Sequence, residues 1–227
     1  MARTLDPAVH ALRRDEFVDV ALRLMQTKGW DATSIADVLA ETGASKGAFY
    51  HYFSSKADLL EAVIERITDA ATASLHPAID SPDLSAIERL QLVFGGIARW
   101  KNERTELLTA IVETWSADDN AAVREKFRKG VVRRMVPLLA SIIAQGQLEG
   151  RFSGLDPEST GRVLVALMLG ANETATDLYF DRLAGTISFE TVETRLAAYQ
   201  HAFERVLDLP SGSLVLVDRT ALIHWFG

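Results

Sequence analysis

Apolar positions recur at three- and four-residue intervals along almost the whole chain, the period of helices that bury one face. Over residues 9–28, Phe17, Val20, Ala21, Leu24 and Met25 form a single stripe, and Lys28-Gly29 is the order expected where a helix stops. A short segment follows. Thr33 or Ser34 can cap a helix carrying Ile35, Val38 and Leu39, Ser34 and Asp37 have the spacing of a capping box, and Gly43 ends it. Ser45 can cap a third, very short helix over 46–53. Ser54 or Ser55 can cap a fourth, whose stripe of Leu59, Leu60, Val63, Ile64 and Ile67 runs to about residue 73.

The polar segment 77–85 carries two prolines and reads as a boundary. Beyond it the periodicity predicts helices near 84–101, 103–116, 119–147, 157–183 and 189–208. Pro137 is expected to kink the third of these. Three glycines and a proline between 146 and 157 mark a loop, and the apolar tail 214–226 begins like a strand and then fits neither period clearly. The expected fold is all-α: an N-terminal three-helix helix-turn-helix head on a larger helical body. The expected division is residues 1–55 and 56–227, with a helix over 55–75 shared between them.

Composition narrows the classes. The 227 residues are 48% hydrophobic and 24% charged, enough apolar material for a true core. There is no cysteine, which excludes disulfides, thiolate metal sites and a cysteine nucleophile. The start has no apolar run of signal-peptide length, and the densest apolar stretch, 163–170, is eight residues long, so a cytoplasmic protein with no membrane partner is expected. No cofactor or metal is implied.

Net charge is −7, and its distribution is uneven. Residues 1–56 hold seven basic and seven acidic side chains. The remainder holds 24 − 7 = 17 basic and 31 − 7 = 24 acidic ones and carries the whole −7. A neutral head on an acidic body cannot hold DNA by bulk charge. It would need a few well-placed phosphate contacts, in two copies.

The short third segment has the chemistry for that task. A helix of eight residues persists only if its neighbours clamp it. Phe49 and Phe53, four apart, can face the core and leave Lys46, Gly47, Tyr50 and His51 outward. Ser45 and Lys46 lie at a helix N-terminus, where free N–H groups attract phosphate. Gly47 lets a backbone approach closely. Tyr50 and Tyr52 offer hydroxyls to phosphate, His51 can donate to a phosphate or a base edge, Lys56 adds a charge in the next helix, and Thr33 and Ser34 offer hydroxyls on the other side.

The segment TSIADVLAETGASKGAFYHYFSSKADLL resembles the DNA-binding segment of the TetR family of bacterial repressors, over roughly residues 10–65. The shared pattern is T-S-I-x-x-V-A/L, then G-A-S-K-G-x-F/L-Y, then F-x-S-K-x-x-L-L. The resemblance implies an all-α homodimer with a three-helix DNA head and a body whose last two long helices pair with those of a second copy. Position by position it implies backbone contacts for Thr33, Ser45, Lys46, Gly47, Tyr50 and Lys56, and base contacts for Ala48 and His51. The helix ends Tyr50-His51-Tyr52-Phe53 where many relatives read Tyr-Tyr-His-Phe. The expected partners are a double-stranded DNA operator, a small-molecule effector and a second copy of the chain.

In the body, Phe94, Trp100, Trp115, Phe127 and Met135 could line an apolar effector pocket or be plain core. Asn172 and Glu173 interrupt a very apolar helix and are candidates for effector contact. Expected seam residues are Val163, Leu164, Leu167, Met168 and Ala171 on one helix and Leu196, Tyr199, Phe203 and Leu207 on the next. Two rival readings remain. One is an enzyme using Glu173 and Asp177, four apart, with His201 as base, although no nucleophile or metal spacing accompanies them. The other is a head that binds protein instead of DNA.

Overall fold

The computed structural model of the protein describes residues 7–76, 83–115, 120–153, 156–216 and 218–227, with no side-chain description at 7 and 113–115. Ten helices run through the described residues: α1 (Pro7–Lys28), α2 (Ile35–Thr42), α3 (Lys46–Tyr52), α4 (Lys56–Ala73), α5 (Ala86–Asn102), α6 (Thr105–Trp115), α7 (Ala121–Leu148), α8 (Pro157–Leu183), α9 (Phe189–Val206) and α10 (Arg219–Phe226). Much of the expected 77–85 boundary lies outside the described residues. Among the described residues no helix is long and apolar enough to cross a membrane.

Two compact units form. One gathers the described residues up to Asp69 with Arg104–Phe127; the other comprises Ala70–Glu103 and Arg128–Gly227. The break therefore falls inside α4 and inside α7, both of which run on as continuous helices.

In the first unit, α1 packs against α2 and α6. The stripe read from the sequence is its core: Phe17, Val20, Ala21, Leu24 and Met25 are buried with Phe49, Phe53, Leu59, Leu60 and Val63. Arg66 of α4 reaches back to Asp15 and Asp19 on α1, the latter at 2.6 Å.

In the second unit, Leu90 and Val93 of α5, Leu139, Ile142 and Ile143 of α7, Leu164 and Val165 of α8, and Phe203 and Leu207 of α9 share one core. Gly161 lets α8 meet α7 closely: a Cβ there would lie 3.2 Å from the Val136 carbonyl oxygen. The start of the tail departs from the strand-like reading, and its ambiguous part is helical. Among the described residues 210–216 are turns and irregular chain, and Asp218 caps α10 by accepting from the Ala221 N–H at 2.7 Å. Leu222 and Phe226, four apart, then pack on Leu178 of α8 and Val192 of α9, and Arg182 donates to the Phe226 carbonyl at 2.9 Å. Helical spacing with an Asp cap prevails over β-branched composition once a receiving groove exists. The linker is fastened by Glu204, buried on α9, whose carboxylate accepts from the Gly212 and Leu214 N–H groups at 2.8 and 3.2 Å.

Candidate nucleic-acid interface

The head is assembled by local rules. Ser34 caps α2 with a complete capping box: its Oγ accepts from the Asp37 N–H, and the Asp37 carboxylate accepts from the Ser34 N–H at 2.7 Å. The same carboxylate takes a salt bridge from Lys28 at 2.7 Å, which ties the end of α1 to the start of α2. Lys28, and then Ser34, hold the Asp37 carboxyl far below the usual carboxylate range. Gly43 closes α2 in the left-handed conformation, φ 61°, where a Cβ would be strained. Ser45 caps α3 by accepting from the Ala48 N–H at 3.1 Å.

Helix α3, seven residues long, is clamped as its pattern demands. Phe49 and Phe53 are 0% and 1% exposed, with ring centroids 5.7 and 6.1 Å from that of Phe17 on α1. Arg14 lies over the Phe53 ring at 5.3 Å. On the opposite side Ser45, Lys46, Gly47, Tyr50 and His51 are exposed, and Ala48 is half-buried beside them. A Cβ added at Gly47 would meet nothing closer than the Ser45 Oγ at 3.9 Å, so no internal contact accounts for a glycine there.

Four expected contact residues are engaged inside the head. Ser34 spends its hydroxyl proton on the Asp37 carboxylate at 2.6 Å. Thr33 is 2% exposed and spends its single hydroxyl proton on the Gly29 carbonyl at 2.7 Å, so it has no donor left for a phosphate. Its role is to close the α1–α2 turn. Lys56 donates to the Trp30 carbonyl at 2.7 Å and sits 4.9 Å over the Trp30 ring; burial pushes its ammonium pKa down. It anchors the start of α4 instead of projecting a free charge. Tyr52 is half-buried, its ring 4.6 Å from that of His10 and 5.6 Å from that of Phe17. Trp30 and His10 were not singled out in the sequence; Trp30, just after the glycine that stops α1, is 4% exposed, and only the fold brings Lys56 to it.

Of the two alternatives open to the apolar body residues, Phe94, Trp100 and Met135 are buried as the core alternative has it. Phe94 and Met135 are 7% and 5% exposed members of the core, with the Phe94 ring 5.2 Å from that of Phe203. Trp100 is also buried. The Asn172 amide oxygen accepts from Lys101 at 2.8 Å, and Glu173 is exposed. The side chain of Trp115 lies outside the described residues. A cavity of about 430 Å³ opens instead between α7 and the first turns of α8, and none of these residues lines it.

Of the expected seam, Leu164, Phe203 and Leu207 are at most 2% exposed and belong to the chain's own core, so no partner can reach them. Leu167, Met168, Ala171, Leu196 and Tyr199 are half-buried; Val163, at 47%, is exposed. The outer line of α8 passes through Val163, Ala166, Glu173 and Asp177, and that of α9 through Thr194, Ala198, His201 and Arg205.

Residues 17–63 match the family described as bacterial regulatory proteins, tetR family. The HTH-type transcriptional regulator BetI of Klebsiella pneumoniae (strain 342) is 34% identical over 110 residues, which cover 47% of this chain and 53% of that protein. The chain thus spans about half the length of the curated relatives it matches. A TetR transcription regulator from Haloarcula marismortui shares the fold, with a TM-score of 0.61 and 23% identity over 87% of this chain and 97% of that one. A putative TetR-family transcriptional regulator from Rhodococcus sp. gives a TM-score of 0.57 and 26% identity over 86% and 99%. The capped, clamped three-helix head thus carries the segment that matches the tetR family model, and the chain shares its all-helical fold with TetR-family regulators of known structure.

Proposed function

We propose that the chain is a sequence-specific DNA-binding transcription regulator, a repressor released by a small-molecule effector. The observation that carries this reading is the two-sidedness of α3: Phe49 and Phe53 are sealed in the core while Lys46, Gly47, Tyr50 and His51 stand exposed on the opposite face. Residues 1–55 serve as the DNA-binding domain and 56–227 as the effector-binding and dimerisation domain, with the helix over 55–75 common to both. Two copies place α3 in successive major grooves, about 34–36 Å apart on a two-fold operator. Ser45, Lys46 and Tyr50 contact phosphates, Ala48 and His51 face base edges, and Tyr52 supports His51, its ring 5.2 Å away. The chain acts in the cytoplasm.

The homodimer forms through the outer faces of α8 and α9. The effector acts through its differential affinity for the DNA-binding and released states, and derepression by 99% requires about 5 kcal/mol of such preference.

The deciding experiment selects fragments from a random duplex pool with the full chain and sequences them. A two-fold motif whose binding weakens steeply with salt is expected. Absence of any salt-dependent duplex binding removes the reading and leaves the head as a protein-binding module.

A further inference from the structure

The groove between α7 and the start of α8 is assigned to no role by the DNA-binding reading, and it has the chemistry of a ligand site. We propose that it binds an organic anion, a carboxylate carried on an apolar body. Its lining includes Arg128, Lys129, Arg133 and Arg162, with Glu158 beside them accepting from Arg162 at 2.7 Å. These four cations line one groove on a chain whose net charge is −7. They come largely from one stretch of α7, residues 124–134, which holds six basic side chains and one acidic one. Like charges gathered on one wall raise the local potential for an anion, and planar guanidiniums fit a carboxylate with paired hydrogen bonds.

The floor is apolar. Val136 is buried, Val132 and Ala140 are half-buried, and the Pro137 ring is exposed. The base is preformed, because α8 is held against α7 where Gly161 meets Val136 and Ala140. At about 430 Å³ the groove suits a small organic molecule and is far too small for a duplex. The apolar floor selects an organic anion over an inorganic one.

The inference stands on the groove and not on the DNA-binding reading, so the two can fail separately. The test is calorimetric titration of the full chain with decanoate, decanol, decyltrimethylammonium and inorganic phosphate. Decanoate is expected to saturate one site per chain at least tenfold more tightly than the other three. It should also shift the methyl resonances of Val132 and Val136. The exposed pair Arg128→Glu and Arg133→Glu, introduced together, should weaken decanoate by more than tenfold. Equal binding of decyltrimethylammonium or phosphate, unmoved Val132 and Val136 methyls in the unaltered chain, an unchanged decanoate affinity in the folded double variant, or no saturable binding would each overturn the proposal.

Discussion

Lys46 and Gly47 are adjacent on the exposed side of α3, and each supports a different test. Lys46 carries a charge with no structural duty among the described contacts, so Lys46→Ala should leave the melting temperature within about a degree, a surface change being worth under ~0.5 kcal/mol. It should weaken binding to every duplex alike and lower the slope of log affinity against log salt by about 1, as fluorescence anisotropy across a salt series would read. Gly47 is the sharper probe. No atom inside the protein opposes a Cβ there, and alanine favours a helix by up to about 1 kcal/mol. Gly47→Ala should therefore raise stability or leave it unchanged while reducing DNA affinity; a variant that keeps full affinity would show that nothing approaches α3 closely at that point. The candidate site was legible at Ser45, Lys46, Gly47, Tyr50 and His51 because burial of Phe49 and Phe53 dictates the opposite face of so short a helix. It was not legible at Thr33 and Lys56, whose partners, the Gly29 and Trp30 carbonyls, are set by the turn after α1 and by a contact 26 residues away.

At the scale of elements, α2 and α3 are too short to persist alone and depend on caps and clamps. Ser34→Ala removes the capping hydroxyl of α2 and should cost about 1 kcal/mol in denaturant unfolding. The Asp37 carboxylate, held by Lys28 and Ser34, gives that cap a pH signature. Its folded pKa lies below the ordinary aspartate value, so its contribution is fully present above about pH 4 and is lost as pH falls from there toward the folded pKa. The difference in melting temperature between the unaltered chain and Asp37→Asn should accordingly be constant from pH 7 to 5 and shrink below about pH 4. Phe49→Ala opens a cavity against Phe17 and Phe53 and should cost about 3–5 kcal/mol. Loss of DNA binding in that variant at temperatures where α3 has unfolded, with recovery on cooling, would separate clamp from contact.

For the whole molecule, the division between own core and outer face decides what each apolar side chain does. Leu164 is fully buried and Val163, its neighbour, is exposed. Leu164→Ala should destabilise the chain by about 2–5 kcal/mol. Val163→Arg should leave the fold intact and, if α8 faces a second copy, shift the sedimentation profile to the monomer. A monomer from the first with an unaltered dimer from the second would place the seam elsewhere. The tail belongs to the same accounting: removing α10 would expose Leu178 and Val192 and should lower the melting temperature while leaving the caps of α2 and α3 untouched.

The amino-acid sequence alone determined the elements: helical period, capping serines and stop glycines act over three or four residues, so α1 to α9 could be read within a few residues of their ends. It also determined the outward side of α3, because two phenylalanines on so short a helix leave one orientation. Tertiary structure decided which stripe of α8 and α9 faces inward, that Phe94 and Met135 are core, that the tail folds as a helix on α8 and α9, and that a cationic groove opens beside Pro137. These outcomes depend on which surfaces meet across many residues of chain. A periodic pattern specifies that a face is buried, but the partner that buries it exists only once the helices have packed.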